Sequence, residues 1–315
     1  FSARNFLDYS NNLKIVRVAV ADQKNAVSTG TAVTINNEAQ YLASFANGEA
    51  AVGMFAAKYP GTLGNSLKIS MCDANTFSKT LTGTGFAVTA ASNVVTGTGT
   101  AFDEQVSVGS YITFTISSTQ YTKQVIGVSS ATSLTVDSNF TVTGSATTAI
   151  AKWEYSSYFS SAPYDSNQAV AFGASKDGLH IVVIDEDGLF GTKGTVLETF
   201  SNVFKSRDSI SFDGTSGYYK TVLNQSKYVW WMDHPDTADV TSNDLAFGAA
   251  CASGVFATLK KPVTRSLIGG ADGTTTATSG ELQLGFDLFK NVDKTDVSCI
   301  FTGAVPSVVS TYVIQ

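Results

Sequence analysis

Ala57-Lys58-Tyr59-Pro60-Gly61-Thr62-Leu63-Gly64-Asn65-Ser66-Leu67-Lys68-Ile69 decides how the rest of the chain is read. Pro60 fixes its own φ near −65° and Gly61 tolerates positive φ, so Tyr-Pro-Gly-Thr predicts a tight turn, and Gly64-Asn65 predicts a second one. A strand follows at once. Leu67, Ile69 and Met71 alternate with Lys68, Ser70 and Cys72, the period of a strand buried on one face.

Outward from this corner the chain changes character several times. Leu13–Val20 is apolar and β-branched enough for a sheet strand, and Phe1–Tyr9 before it is consistent with the end of a helix. Asp22–Glu38 reads as a crossing linker. Glu38–Lys58 stays open between a helix carrying Tyr41, Leu42 and Phe45 and a strand beginning in Val52–Phe55. Near the far end, Thr278-Ser279-Gly280-Glu281 has capping-box spacing before a helix with Leu282, Phe286 and Phe289 on one face, and Asp296–Phe301 reads as another strand. Two such units predict one split α/β sheet domain, residues 1–37 with 262–315.

Between residues 81 and 152 the composition shifts to Thr, Ser, Val and Gly. Val94–Phe102, Val106–Phe114, Gln124–Val128 and Ser133–Val136 predict short strands at regular spacing, an inserted, surface-exposed small all-β barrel or sandwich. Insertion at a hairpin tip costs little closure entropy if the two ends lie together. The remainder, 38–80 and 153–261, predicts a mixed α/β middle domain. In it Asn167–Ala174 and Leu179–Ile184 flank a hairpin turn at Ser175–Gly178, Asp185-Glu186-Asp187-Gly188 turns again, Thr195–Phe200 is a strand, Tyr218–Asn224 a short helix and Lys227–Met232 an aromatic strand. Lys260-Lys261-Pro262 reads as the linker back to the split domain. The fold class expected is α+β and multidomain.

At 315 residues the chain is long enough for two or three cores. Charged residues make up 15% of the chain and the formal net charge is −6, so a broad phosphate-binding surface of clustered Lys and Arg is excluded, and nucleic acid with it. No run reaches the roughly 18 apolar residues of a membrane-spanning helix. Cys72, Cys251 and Cys299 lack metal-ligand spacing and read as buried free thiols of a reducing compartment.

The inventory for catalysis is thin. His180 sits in a strand pattern and His234 beside Pro235, and neither is joined by motif to a Ser or Cys nucleophile, so no catalytic residue is assigned. In Asp185-Glu186-Asp187-Gly188 the glycine comes at position 4 where a calcium loop needs it at 6, which favours a solvated turn over a metal site. Gly83-Thr84-Gly85 and Gly97-Thr98-Gly99 lack the third glycine of a dinucleotide site and read as turns. Trp230 and Trp231, adjacent on a strand, must point to opposite faces, one into the core and the other under the neighbouring helix or towards another subunit. No cofactor and no metal are expected.

The Tyr59–Ser66 corner, followed much later by Lys176-Asp177-Gly178-Leu179-His180-Ile181-Val182-Val183-Ile184-Asp185-Glu186-Asp187-Gly188 and then Tyr218-Tyr219-Lys220-Thr221-Val222-Leu223-Asn224, resembles the tail sheath proteins of contractile-tailed, T-even-like phages. The resemblance covers most of the chain outside the insert, and its motifs are corners and strands, with no reactive group. It implies a structural, non-enzymatic subunit of the virion tail, assembled in the host cytoplasm, whose copies stack as sixfold rings around the tail tube and repack on contraction to drive the tube through the host envelope. Its implied partners are other sheath subunits, the tail tube protein, the baseplate and the tail terminator, with no nucleic acid and no membrane insertion. The family's amino-terminal arm and carboxy-terminal domain have no counterpart in the residues from Phe1 to Gln315, so a fragment of a longer subunit is expected. Sheath subunits of bacterial contractile injection systems are the near alternative. A β-rich receptor-binding or adhesin module, with the insert engaging a glycan, and a hydrolase with a dispersed carboxylate pair are the distant ones.

Overall fold

A computed structural model describes residue 7, residues 13–291, residue 297 and residues 299–314. In chain order the helix α1 (Glu38–Ser44) precedes β1 (Phe55–Ala57), β2 (Leu67–Asp73) and the single turn α2 (Ala74–Phe77). The insert follows, with β3 (Ser78–Thr80), β4 (Thr84–Val88), β5 (Val94–Thr98), α3 (Phe102–Gln105), β6 (Tyr111–Ile116), β7 (Thr119–Ser130), β8 (Ser133–Val136), β9 (Gly144–Ala146) and β10 (Ala149–Lys152). The chain then runs through α4 (Asn167–Ala171), β11 (Ala174–Ser175), β12 (Gly178–Asp185), β13 (Thr195–Phe204), α5 (Tyr219–Leu223), β14 (Val229–Trp231), β15 (Gly254–Val255) and β16 (Val263–Ser266), and ends in α6 (Ser279–Asp287) and α7 (Ser307–Ile314).

The centre is a four-stranded antiparallel sheet in the order β13-β12-β2-β16. Leu67, Ile69, Met71, Leu179, Ile181 and Val183 turn one face to a core that includes Tyr219, Leu223 and Trp231. The opposite face is covered too, because Cys72, Val182 and Ile184 pack under Phe77, Trp153 and Tyr155. That second layer corrects the expectation of a half-buried strand: Ser70 is buried and receives a hydrogen bond from Trp153 Nε1 at 2.9 Å. Alternation in the sequence marked the two faces, but Trp153 comes from beyond the insert.

The predicted hairpin at Ser175–Gly178 does not form. Asn167–Ala171 is helical, started by Ser166, whose Oγ accepts from Ala169 N, and β12 pairs instead with β2 and β13. Lys176, at φ 67°, takes the left-handed conformation. Gly178 is needed for space, since a Cβ there would lie 2.1 Å from the carbonyl oxygen of Tyr164.

Trp230 and Trp231 do point to opposite faces, and both are buried. Tyr41 of α1 stacks on one side of Trp230 at 4.3 Å, and Lys58 Nζ lies 3.2 Å from the same ring's centroid. Trp231 belongs to the central core. The strand they share is short and, among the described residues, pairs with β1 alone.

In the insert eight strands follow the order β3-β10-β6-β7-β8-β5-β4-β9. The 12-residue β7 pairs with β6 in its first half and β8 in its second, and register shifts after Val125 bend the sheet over on itself, so that β9 comes alongside β6. A Cβ at Gly144 would lie 2.6 Å from Ile116 Cγ2, so this close approach needs a glycine. Phe86, Phe102, Phe114 and Phe140 fill the interior, each worth about 1.5–3 kcal/mol when fully buried. The two ends of the insert pair with each other, Thr80 opposite Ile150 and Ser78 opposite Lys152. The Gly83–Gly85 and Gly97–Gly99 stretches face one another across β4 and β5, with Thr84 opposite Thr98.

The chain ends depart most from expectation. Among the described residues Leu13–Val20 has no ladder partner, and most of it is exposed or half-buried, so it is not a strand. The predicted helix over Phe1–Tyr9 lies outside the described residues apart from Leu7, which is helical. Asp296 and Ser298 of the predicted final strand also lie outside them, while Val297 and Cys299–Phe301 are in no strand. Asp22–Glu38 is no mere linker: Asn25, Val27 and Ile35 are fully buried, and Val27 bridges both Ala56 and Ile268. The capping box at Thr278 and Glu281 forms as its spacing predicts. Lys260–Pro262 leads directly into β16, a strand of the central sheet, and so does not return the chain to another domain. Cys72 and Cys251 are buried free thiols, whereas Cys299 is exposed.

Candidate functional site

The two loops that carry the resemblance meet at one end of the central sheet. Gly61 (φ 133°) closes the Pro60 turn, a 3₁₀ turn spans Thr62–Ser66, and β2 leaves from it. At its end Ser66 Oγ donates to Asp185 Oδ1 at 2.6 Å, and Ser66 O accepts from Glu186 N at 2.6 Å. Asp185 Oδ1 also accepts from the N–H groups of Gly188 and Leu189, both at 3.0 Å, and Oδ2 from that of Phe190 at 2.8 Å. Asp185 is fully buried, so the turn expected to be solvated is a knot closed on its own carboxylate. Burial pushes that carboxyl up, but the bonds from Ser66 and the three N–H groups outweigh it and hold it below the usual range.

The same corner is clamped from its other side. Asn65 and Gly270 exchange hydrogen bonds, Nδ2 to O at 3.0 Å and N to Oδ1 at 2.7 Å. Asp272 accepts from Thr62 N at 3.0 Å and Thr62 Oγ1 at 2.5 Å, which lowers its pKa. Gly61 N donates to Lys24 O at 2.9 Å. Asp22 accepts from the N–H and hydroxyl groups of both Thr274 and Thr275. Four stretches distant in sequence are thus fixed to one another, and Tyr59, Leu63 and Leu189 remain exposed on these loops.

At the opposite end of β2, Lys205 and Asp73 form a second polar centre, both shut off from solvent. Lys205 Nζ donates to Asp73 Oδ2 at 3.0 Å, Lys176 O at 2.7 Å and Ala257 O at 2.9 Å, one acceptor for each ammonium proton. Asp73 Oδ1 meanwhile caps α2 through the N–H groups of Asn75 and Thr76, and Oδ2 also accepts from Leu259 N. A lysine so engaged has no lone pair for nucleophilic or base chemistry. Cys251 is similarly occupied: its thiol donates to Ser206 Oγ at 3.1 Å, Ser206 donates to Asp208, and burial pushes the thiol pKa up.

Both histidines are structural in their contacts. His180 Nε2 donates to Ser161 O at 3.0 Å, Nδ1 accepts from Asn202 N at 3.0 Å, and Phe159 stacks on the ring at 4.1 Å, which fixes the neutral tautomer. Trp231 Nε1 donates to Tyr219 Oη at 3.2 Å, and Tyr219 Oη and His234 Nδ1 share a hydrogen bond at 2.6 Å. Burial lowers the pKa of both rings below the ordinary 6.5. Unfolded chains therefore take up protons at a higher pH than folded ones. Stability is complete above about pH 6.5 and falls as pH drops from there towards the folded pKa values, before carboxylates begin to titrate. The thermal midpoint followed from pH 8 to 5 should show this fall, and His180→Gln should remove about half of it; an unaltered profile in the variant rules the assignment out.

Sequence reasoning found the corner and the turn but not their joint, and it missed Asp73, Lys205 and Asp272. Asp73-Ala-Asn-Thr76 was the one local signal available, an acidic N-cap with a hydroxyl three residues on. Among the described residues no group of three or more His, Cys, Asp or Glu side chains could hold a metal ion.

No family model matches the chain. The tail sheath protein of Salmonella phage ViI is 26% identical to it over 237 residues, which take in 70% of this chain and 37% of that protein's own length. By that similarity the chain is a distant relative of phage tail sheath proteins.

Proposed function

We propose that this chain is part of a contractile tail sheath subunit, a virion component whose copies stack as rings around a tail tube and repack to drive the tube through the host envelope. Its partners in this reading are other copies, the tube protein, the baseplate and the terminator, and it performs no catalysis. The similarity to a tail sheath protein carries the reading. Residues 81–152 are then an outward-facing addition to a body that takes in 38–80, 153–261 and β16, and the chain ends are tied to it and to each other at Asp22 and Thr274–Thr275. Mechanical work by copies of one chain needs a heterologous, non-closing contact and two packings separated by a barrier.

Negative-stain microscopy of the full-length protein tests this. Striated hollow tubes or sixfold rings are expected. Isolated trimers would favour the adhesin reading, and a protein that stays monomeric under every condition ends the proposal.

A further inference from the structure

Residues 207–217 leave the body as a braced hairpin that holds an aromatic ring out in solvent. Ser211 N donates to Thr215 O at 2.8 Å, Gly217 N to Ser209 O at 2.9 Å, and Asp213 Oδ1 accepts from Thr215 N at 3.0 Å and Thr215 Oγ1 at 2.7 Å. Its base is tied down by Arg207 N to Ala249 O at 3.1 Å and by Ser209 Oγ to Asp177 Oδ2 at 3.3 Å. Near the tip Phe212 is wholly exposed and Ile210 more than half so. One exposed apolar side chain needs no explanation, but two on a closed hairpin make a knob, whose backbone is already ordered and loses little entropy when bound. The neighbouring Arg207 is exposed and, among the described residues, in no ion pair.

At the other edge of the central sheet, along β16, lies an open cleft of about 580 Å³ between the insert's 106–109 loop and the body. Val106, Val108, Val128 and Pro262 give it apolar walls. Lys68 is paired with Glu186 and Arg265 with Asp239, whereas Glu154 is in no ion pair among the described residues. The 106–109 loop closes on its carboxylate, since a Cβ on Gly109 would collide with Glu154 Oε2, and burial pushes the carboxyl up in spite of Lys68 nearby. The cleft has room for a ring, walls to receive it and a carboxylate that lacks a cation.

We infer that the 207–217 hairpin of one copy seats in this cleft on the next, with Phe212 among the valines and Arg207 towards Glu154. The inference rests on the reading of the chain as a self-assembling sheath subunit and names the surfaces involved. The hairpin continues β13, and β13 and β16 are the two edge strands of the sheet, with β12 and β2 between them. It also leaves from the end where Gly178 faces Phe204, whereas Lys68 and Glu186 line the cleft at the end where Leu67 faces Asp185. A braced hairpin does not reach across that distance to its own chain's cleft. Each copy therefore offers a knob to one neighbour and a cleft to another, a heterologous contact that lines copies up instead of closing them into pairs.

The full-length protein with benzoylphenylalanine in place of Phe212, mixed with an isotope-labelled copy and irradiated under assembling conditions, tests the contact. Adducts between copies are expected in peptides that hold 106–109 or Val128. Phe212→Ala should raise the concentration needed for assembly about 30-fold with an unchanged thermal midpoint. Arg207→Glu and Glu154→Lys should each weaken assembly, and the double variant should recover most of it, which damage to the fold in either single variant would not allow. Rings or tubes that form as readily with Phe212→Ala, adducts confined to other surfaces, or a double variant no better than the singles overturn the inference and leave the sheath reading standing. Adducts in the cleft within linear oligomers that give neither rings nor tubes keep the contact and remove the sheath reading. A protein monomeric under every condition removes both.

Discussion

Lys205→Met is expected to cost the protein about 3–5 kcal/mol, because it leaves the Asp73 carboxylate charged and buried without its cation. The carbonyls of Lys176 and Ala257 lose their donor in the same step. Methionine matches the length of the lysine stem and can still lie near the Phe247 ring, which is 5.0 Å from Nζ, so packing changes little and the loss reports the missing charge and its three hydrogen bonds. Urea unfolding read by tryptophan fluorescence should show a lower midpoint with an unchanged slope. Adding Asp73→Asn is the control. The amide keeps an acceptor for α2 and removes the orphaned charge, so the double variant should lose clearly less than the sum of the single losses. Strict additivity would mean that the two groups do not act as a pair.

That pair shows what a sequence read alone can and cannot give. Lys205 and Asp73 are 132 positions apart, and neither has a local pattern naming the other. Elements set by short-range physics were legible: the Pro60–Gly61 turn, the alternation in β2, the strands of the insert, the capping box at Thr278 and the opposed faces of Trp230 and Trp231. Leu13–Val20 shows the converse. It has the composition of a strand, but β-propensity describes fitness for a half-buried sheet surface, and among the described residues no strand comes alongside. Asn167–Ala171 failed for a different reason, since Ser166 supplies an N-cap that competes with the extended reading. At the corner the sequence showed two turns separately. Their union depends on Ser66 meeting Asp185 across 119 residues, which only the antiparallel pairing of β2 with β12 brings about.

Asp185→Ala should therefore be the second large effect. It removes the acceptor for the Ser66 hydroxyl and for the N–H groups of Gly188, Leu189 and Phe190. Water can reach part of the loop after the strand but not Ser66, so the expected loss is about 3 kcal/mol, the desolvation cost of one or two stranded donors plus the lost charge-assisted bonds. Amide exchange should quicken across 186–194 and across 62–66 together, because one carboxylate organises both loops, while exchange in the insert stays as it was. Acceleration confined to 186–194 would show that the corner holds without the knot. Acid provides a second route to the same state. The folded carboxyl has a pKa below its unfolded value, so its contribution is complete above about pH 4 and disappears as pH falls through the folded pKa. Asp185→Asn, which keeps an acceptor oxygen but cannot titrate, should unfold at a lower urea concentration than the parent at neutral pH, and the gap between them should shrink as the solution is acidified. A gap that stayed constant down to pH 2 would mean that the charge on Asp185 contributes nothing, and that the corner is held by its turns alone.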